Sequence, residues 1–118
     1  MVEIRKKVED KIQIAKSKED AHVKAIVLVE AAIMIEAKWF DMCTALWLAC
    51  TDIADAINRL KTRNNLSEAD ALARINFQMS NEDRLPYANV VLNTSLVNKD
   101  EIIHFIEENI TANIVPQL

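Results

Sequence analysis

Apolar positions along this chain follow two rhythms. Ile4, Val8 and Ile12 recur at helical spacing among alternating charges, which predicts a surface helix over residues 2–19 with one packed face. The polar run from Lys16 to His22 reads as a connection. Ala25 to Val29 (AIVLV) and Thr44 to Cys50 (TALWLAC) are instead continuous apolar runs, the pattern of strands buried on both faces of a parallel sheet. Ala88 to Leu92 (ANVVL) predicts a third strand. If the first two strands are parallel neighbours, the segment around Ile33 to Met42 makes the crossover between them. The predicted order is helix, strand, strand, helix, helix, strand, helix. This is an α/β pattern, with a small parallel sheet whose edges need cover.

Between the second and third predicted strands lies the most informative stretch, Arg59 to Gln78 (RLKTRNNLSEADALARINFQ). Ile53, Ala56, Ile57 and Leu60 share one helical face, while Asp55, Arg59 and Arg63 follow a second face at four-residue spacing. Thr51 or Asp52 can cap this helix, and Asn64 with Asn65 suits its end. Ser67, followed three residues later by Asp70, opens a second helix. Ala69, Leu72, Ile75 and Met79 form its apolar stripe, and Asp70, Arg74 and Gln78 a polar one. Two helices with arginines on their wet sides describe a hinged flap offering guanidinium groups to an anion. They describe a solvated hairpin equally well.

Further along, Ser80 to Asp83 is another capping signal, and Pro86 breaks any helix continuing from it. The turn Asn93 to Val97 leads to Asn98, which with Glu101 caps a last helix bearing Ile102, Phe105 and Ile106. Ala112 to Leu118, with Pro116, reads as a frayed tail. Glu30 and Glu36 come after the first predicted strand, where open α/β sheets place a ligand crevice, but they also suit an ordinary strand end and helix. His22 and His104 have no sequence partner that points to catalysis.

Composition narrows the function classes. A net charge of -4 and a pI near 5.2 exclude a broad nucleic-acid or membrane surface, since these need dense positive charge. Cys43 and Cys50 lack zinc-site spacing and read as reduced thiols. The 118 residues contain no glycine, where average usage would give about eight. A G-x-x-x-x-G-K-[ST] phosphate loop and a dinucleotide fingerprint both need glycines to turn backbone amides toward phosphates, so the chain holds neither.

From Val27 onward the sequence resembles the dephospho-coenzyme A kinase family, most closely the kinase half of bifunctional eukaryotic coenzyme A synthase. The segments that carry this are VEAAIMIEAKW (Val29 to Trp39), RLKTRNNLSEADALARINFQMS (Arg59 to Ser80) and ANVVLNTS (Ala88 to Ser95). The middle one is the most specific. The resemblance implies a P-loop kinase fold in which helices flank a small parallel sheet, with a mobile helical lid at about 59–84. It implies transfer of the ATP γ-phosphoryl group to the ribose 3'-hydroxyl of dephospho-coenzyme A, with ATP and Mg2+ serving the complete enzyme. By motif position, Arg59, Arg63 and Arg74 would face the phosphates, supported by Gln78 and Arg84. Glu36 would stand on the acceptor side, and Asn93, Thr94 and Ser95 near the adenine. The sequence departs from the family at Lys38, where a glycine is usual, and at Asn93 and Leu96, where many bacterial members have an acid and a glycine.

The family's phosphate loop and catalytic aspartate correspond to nothing in these 118 residues. The expectation is therefore a single incomplete kinase domain over 1–118, cytoplasmic, with dephospho-coenzyme A and ATP as partners of the whole enzyme. The chain alone is expected to bind no cofactor and to be inactive. The alternative expectation is a kinase-derived interaction module that pairs through an exposed sheet edge.

Overall fold

The computed structural model describes residues 2–20, 24–95 and 98–117. His22, Leu96, Val97 and Leu118, which enter several of the sequence-based expectations, lie outside the described residues. The chain divides into two compact units, the first running up to Thr44 and the second spanning Ala45–Gln117.

The first unit opens with α1 (Val2–Ser17), as the Ile4, Val8, Ile12 spacing predicts; Val8 and Ile12 are half-buried, whereas Ile4 is exposed. Arg5 on this helix donates to Glu9 one turn on and to both carboxylate oxygens of Asp41, at 2.9 and 3.0 Å. Bonding to Asp41 first, and Glu9 second, raises the guanidinium pKa above its ordinary value. Arg5 also donates to the Lys38 carbonyl at 3.3 Å.

That carbonyl belongs to a tight chain reversal. The Lys38 N–H donates to Ile35 and the Trp39 N–H to Met34, the pair of bonds that ends a helical turn in a Schellman motif. Lys38 sits at φ 58° and ψ 37°, the left-handed conformation this motif requires at its closing residue. Met34 and Trp39, the flanking apolar residues, are both buried and form this unit's core with Ile35. A short 3-10 turn, Trp39–Met42, comes next.

AIVLV is not a strand. Residues 24–30 have no regular structure, and Leu28 is 91% exposed. A strand exists only through ladder bonds to a neighbour, and none is present for this run among the described residues. Apolarity alone could not supply that partner. Without a first strand, Ile33 to Met42 is not a crossover but the chain reversal closed by Lys38.

The second unit contains a two-stranded parallel sheet, β1 (Trp47–Cys50) beside β2 (Val90–Asn93), with Trp47 opposite Val90 and Cys50 opposite Asn93. Thr44 to Leu46 lie outside the strand, so β1 is shorter than TALWLAC predicts. The Asn89 side chain accepts the Leu46 N–H at 2.7 Å and sets the start of the pairing. Leu46, Leu48 and Val90 are buried here. Parallel strands need a long connection, which is supplied by α2 (Ile53–Asn64), α3 (Glu68–Phe77) and the single turn α4 (Asn81–Arg84).

These helices begin where the capping signals stand. Ser67 accepts the Asp70 N–H and Ser80 the Asp83 N–H, each at 3.1 Å. Asn98 accepts the Glu101 N–H at 2.9 Å and opens α5 (Lys99–Asn109). Helix α2 ends at Asn65, which takes the left-handed conformation at φ 53°. Helix α3 ends earlier than the stripe predicts: Gln78 is extended and Met79 lies beyond it. Its fully buried residue is Ala71, with Ile75 half-buried, while Ala69 and Leu72 are exposed. The packed face is thus rotated from the predicted stripe toward Ala71 and Ile75. The expected frayed tail is also wound, as a π-turn over Ile110–Ile114 and a 3-10 turn over Val115–Gln117. Thr111 and Asn113 hold it by bonding back to Glu107 and Asn109. No helix among the described residues is long and apolar enough to cross a membrane.

Candidate functional site

Polar groups gather at the carboxyl ends of β1 and β2, the edge at which parallel α/β sheets bind their ligands. The Cys50 carbonyl, last in β1, accepts two bonds from Thr94: the backbone N–H at 2.8 Å and the hydroxyl at 3.1 Å. Because the Thr94 hydroxyl donates there, its lone pairs are free to accept. Arg59 of α2 fills this role, with Nη1 3.2 Å from Thr94 Oγ1 and Nη2 3.0 Å from the Thr94 carbonyl. The result is a chain of bonds from guanidinium to hydroxyl to strand end.

Ser95 adds a second junction. Its Oγ lies 2.7 Å from Thr51 Oγ1 and accepts the Asp52 backbone N–H at 2.8 Å. Its own N–H donates to Asn93 Oδ1 at 3.0 Å, folding 93–95 into an Asx turn. Asp52 is the N-cap of α2 by position, but its side chain makes no capping bond. Ser95, from the far side of the sheet, bonds its backbone instead. Asn81 at the start of α4 donates to the Thr51 carbonyl at 3.3 Å, tying the returning chain to the same place.

Among the predicted site residues, the structure brings Arg59, Asn93, Thr94 and Ser95 together. Arg84 is half-buried, and its positive charge acts on the Cys50 thiol, so it stands near the same strand end. Burial raises that thiol's pKa, and Arg84 opposes the rise. Cys43, in the first unit, is raised by burial and then by the charge of Asp41. Both cysteines are free thiols.

Of the remaining predicted residues, Arg63, Arg74 and Gln78 belong to the second unit and Glu36 to the first. Arg63 is exposed and bonds its neighbour Asn64 at 3.1 Å. Arg74, in the last turn of α3, and Gln78, just past it, are exposed and make no side-chain hydrogen bond or ion pair among the described residues. Glu36 belongs to the first unit, on the exposed side of the turn that Lys38 closes. His104 pairs with Glu108 at 3.0 Å on the exposed face of α5. No group of three His, Cys, Asp or Glu side chains among the described residues is placed to hold a metal ion.

Sequence reasoning missed Asn81, and it read Thr51 only as an alternative helix cap. Thr51 directly follows a predicted strand, which was the available signal; nothing local marks Asn81.

Guanidinium, hydroxyl and amide groups thus stand at the carboxyl edge of two parallel strands in an α/β unit, the edge at which such folds bind ligands. A family model described as dephospho-CoA kinase matches residues 3–100. The chain belongs to the dephospho-CoA kinase family. The dephospho-CoA kinase of Dehalococcoides mccartyi is 33% identical over 73 residues, covering 62% of this chain and 36% of the relative. Those of Prochlorococcus marinus subsp. pastoris and Streptococcus pyogenes serotype M28 are 37% and 33% identical over 70 and 75 residues. These cover 59% and 64% of this chain, and 34% and 38% of the relatives. The matched region therefore spans little more than a third of each relative's length.

Proposed function

We propose that this chain carries the lid and the adenine-side strand end of a dephospho-CoA kinase. The complete enzyme would move the ATP γ-phosphoryl group to the 3'-hydroxyl of dephospho-CoA in the cytoplasm, on a P-loop kinase fold. Phosphoryl transfer requires positioned groups that neutralise charge on the transferred oxygens, and guanidinium groups do this well. The reading assigns the lid to about 59–84, with Arg59, Arg63 and Arg74 facing phosphates and Gln78 and Arg84 bracing the closed form. Glu36 stands on the acceptor side, and Asn93 to Ser95 beside the adenine. The observation that carries the reading is the bonding of Arg59 to Thr94, which joins the arginine-bearing helix to the end of a parallel strand.

The 118 residues hold no glycine, and hence no glycine-rich phosphate loop. The reading therefore has the chain inactive by itself. Incubated with ATP, Mg2+ and dephospho-CoA, the purified chain should form no coenzyme A above background. Sustained turnover that disappears in Arg74→Ala would overturn the claim of inactivity.

A second reading is a non-catalytic, kinase-derived module that covers its exposed apolar surface with a partner. It is favoured by the exposure of Leu28 at 91% and of Phe77 at 93%.

A further inference from the structure

We infer that Thr94 and Ser95 form a clasp that fixes the whole of α2, so that the moving part of the lid is α3 alone. This rests on the proposed lid and divides it into a static wall and a swinging element. Ser95 grips the first residue before α2 through the Asp52 N–H, and Thr94 grips Arg59 near the middle of the helix. A continuous helix held at two points separated by nearly two turns cannot pivot about either one. Arg59 and Arg63, both on α2, are therefore static.

The returning chain is held as well, by Asn81 on the Thr51 carbonyl. Between these anchors lie the two joints. Asn65 closes α2 in the left-handed conformation, and Gln78 leaves α3 extended, at φ -89° and ψ 161°. Each is a single residue at an element end, where hinges absorb large dihedral changes. The segment between them is lightly held. Ala71 is the only residue of α3 that is fully buried, and Leu72, Arg74 and Phe77 are exposed. Helix α2 has no fully buried residue, so it is the two polar anchors at Asp52 and Arg59, and not burial, that set it apart from α3. Of the lid arginines, Arg74 alone rides on the moving element. Thr94 and Ser95 are positioning residues, acting through α2.

Amide hydrogen exchange on the full chain without nucleotide tests this directly. Amides of 53–64 should exchange about tenfold more slowly than those of 68–77. Thr94→Val should speed exchange over 53–64 about tenfold, the factor for one lost bond to a charged donor, and leave 68–77 unchanged. Thr94→Ser, which keeps the hydroxyl, should restore the slow rate. Arg59→Lys keeps the charge but loses the two-pronged geometry, and serves as a second probe should Thr94→Val fail to fold. Equal exchange in the two helices, or acceleration that spreads equally to 68–77, overturns the clasp. Because no nucleotide is present, such failure is separate from a failure of the kinase reading, which the turnover assay reports.

Discussion

Lys38 shows how one residue can hold a conformation that its side chain opposes. The Schellman bonds of Lys38 and Trp39 require a left-handed residue, and for any residue with a Cβ this costs about 1–2 kcal/mol. Burial of Met34 and Trp39 across the turn offsets the cost. The departure from the family's glycine therefore leaves the turn geometry intact. Lys38→Gly should stabilise the chain by about 0.5–1 kcal/mol, the relief of strain less the extra backbone entropy of glycine. The measurement is a rise in the urea midpoint at unchanged slope. A fall would mean that the Lys38 side chain contributes more than its backbone costs. The same left-handed geometry at Asn65 is better tolerated, because a short polar side chain can bond locally.

Among the elements, helix starts were the most legible part of the sequence. Ser67, Ser80 and Asn98 each cap the next helix, since a side-chain oxygen and an N–H three residues on need nothing from the rest of the fold. Helix α2 differs. Its N-cap Asp52 makes no side-chain capping bond, and Ser95 reaches its backbone from across the sheet, more than forty residues away in sequence. Ser95→Ala should accordingly cost about 1–2 kcal/mol, by loss of its bonds to Thr51 and Asp52. Asp52→Ala should cost under about 1 kcal/mol, because it removes only the favourable charge at the helix start. Urea unfolding of the two variants followed by circular dichroism ranks them, and the reverse order would refute the long-range cap. Strand prediction fared worse. TALWLAC and ANVVL pair, whereas AIVLV does not, though their patterns are alike.

At the level of the molecule, that unpaired run leaves an apolar surface. Leu28 is 91% exposed, with Ile26 at 63% and Val27 at 42%. Leu28→Lys should change stability by less than about 0.5 kcal/mol, because the side chain contributes almost nothing to either core. Should the interaction-module reading hold, the wild-type chain self-associates or binds hydrophobic dye, and Leu28→Lys reduces both. A monodisperse wild-type monomer at high concentration that binds no dye would remove that reading. Sedimentation and dye fluorescence decide the matter without any assay of turnover.

The candidate site divides along similar lines. Arginines at helical spacing between two apolar runs were visible in the sequence because a helix face is a local property, fixed by residues three and four apart. The family was legible for the same reason, as its motif lies in one contiguous stretch, Arg59 to Ser80. The sequence thus determined the parallel α/β class, the capped helices and the residues available to a ligand. Only the tertiary structure decided that Arg59 docks on Thr94, that Ser95 takes over from Asp52 at the start of α2, and that AIVLV finds no strand partner among the described residues. Each depends on which distant segments lie side by side, and hydrogen bonds between strands or across a sheet leave no periodic trace in either partner alone.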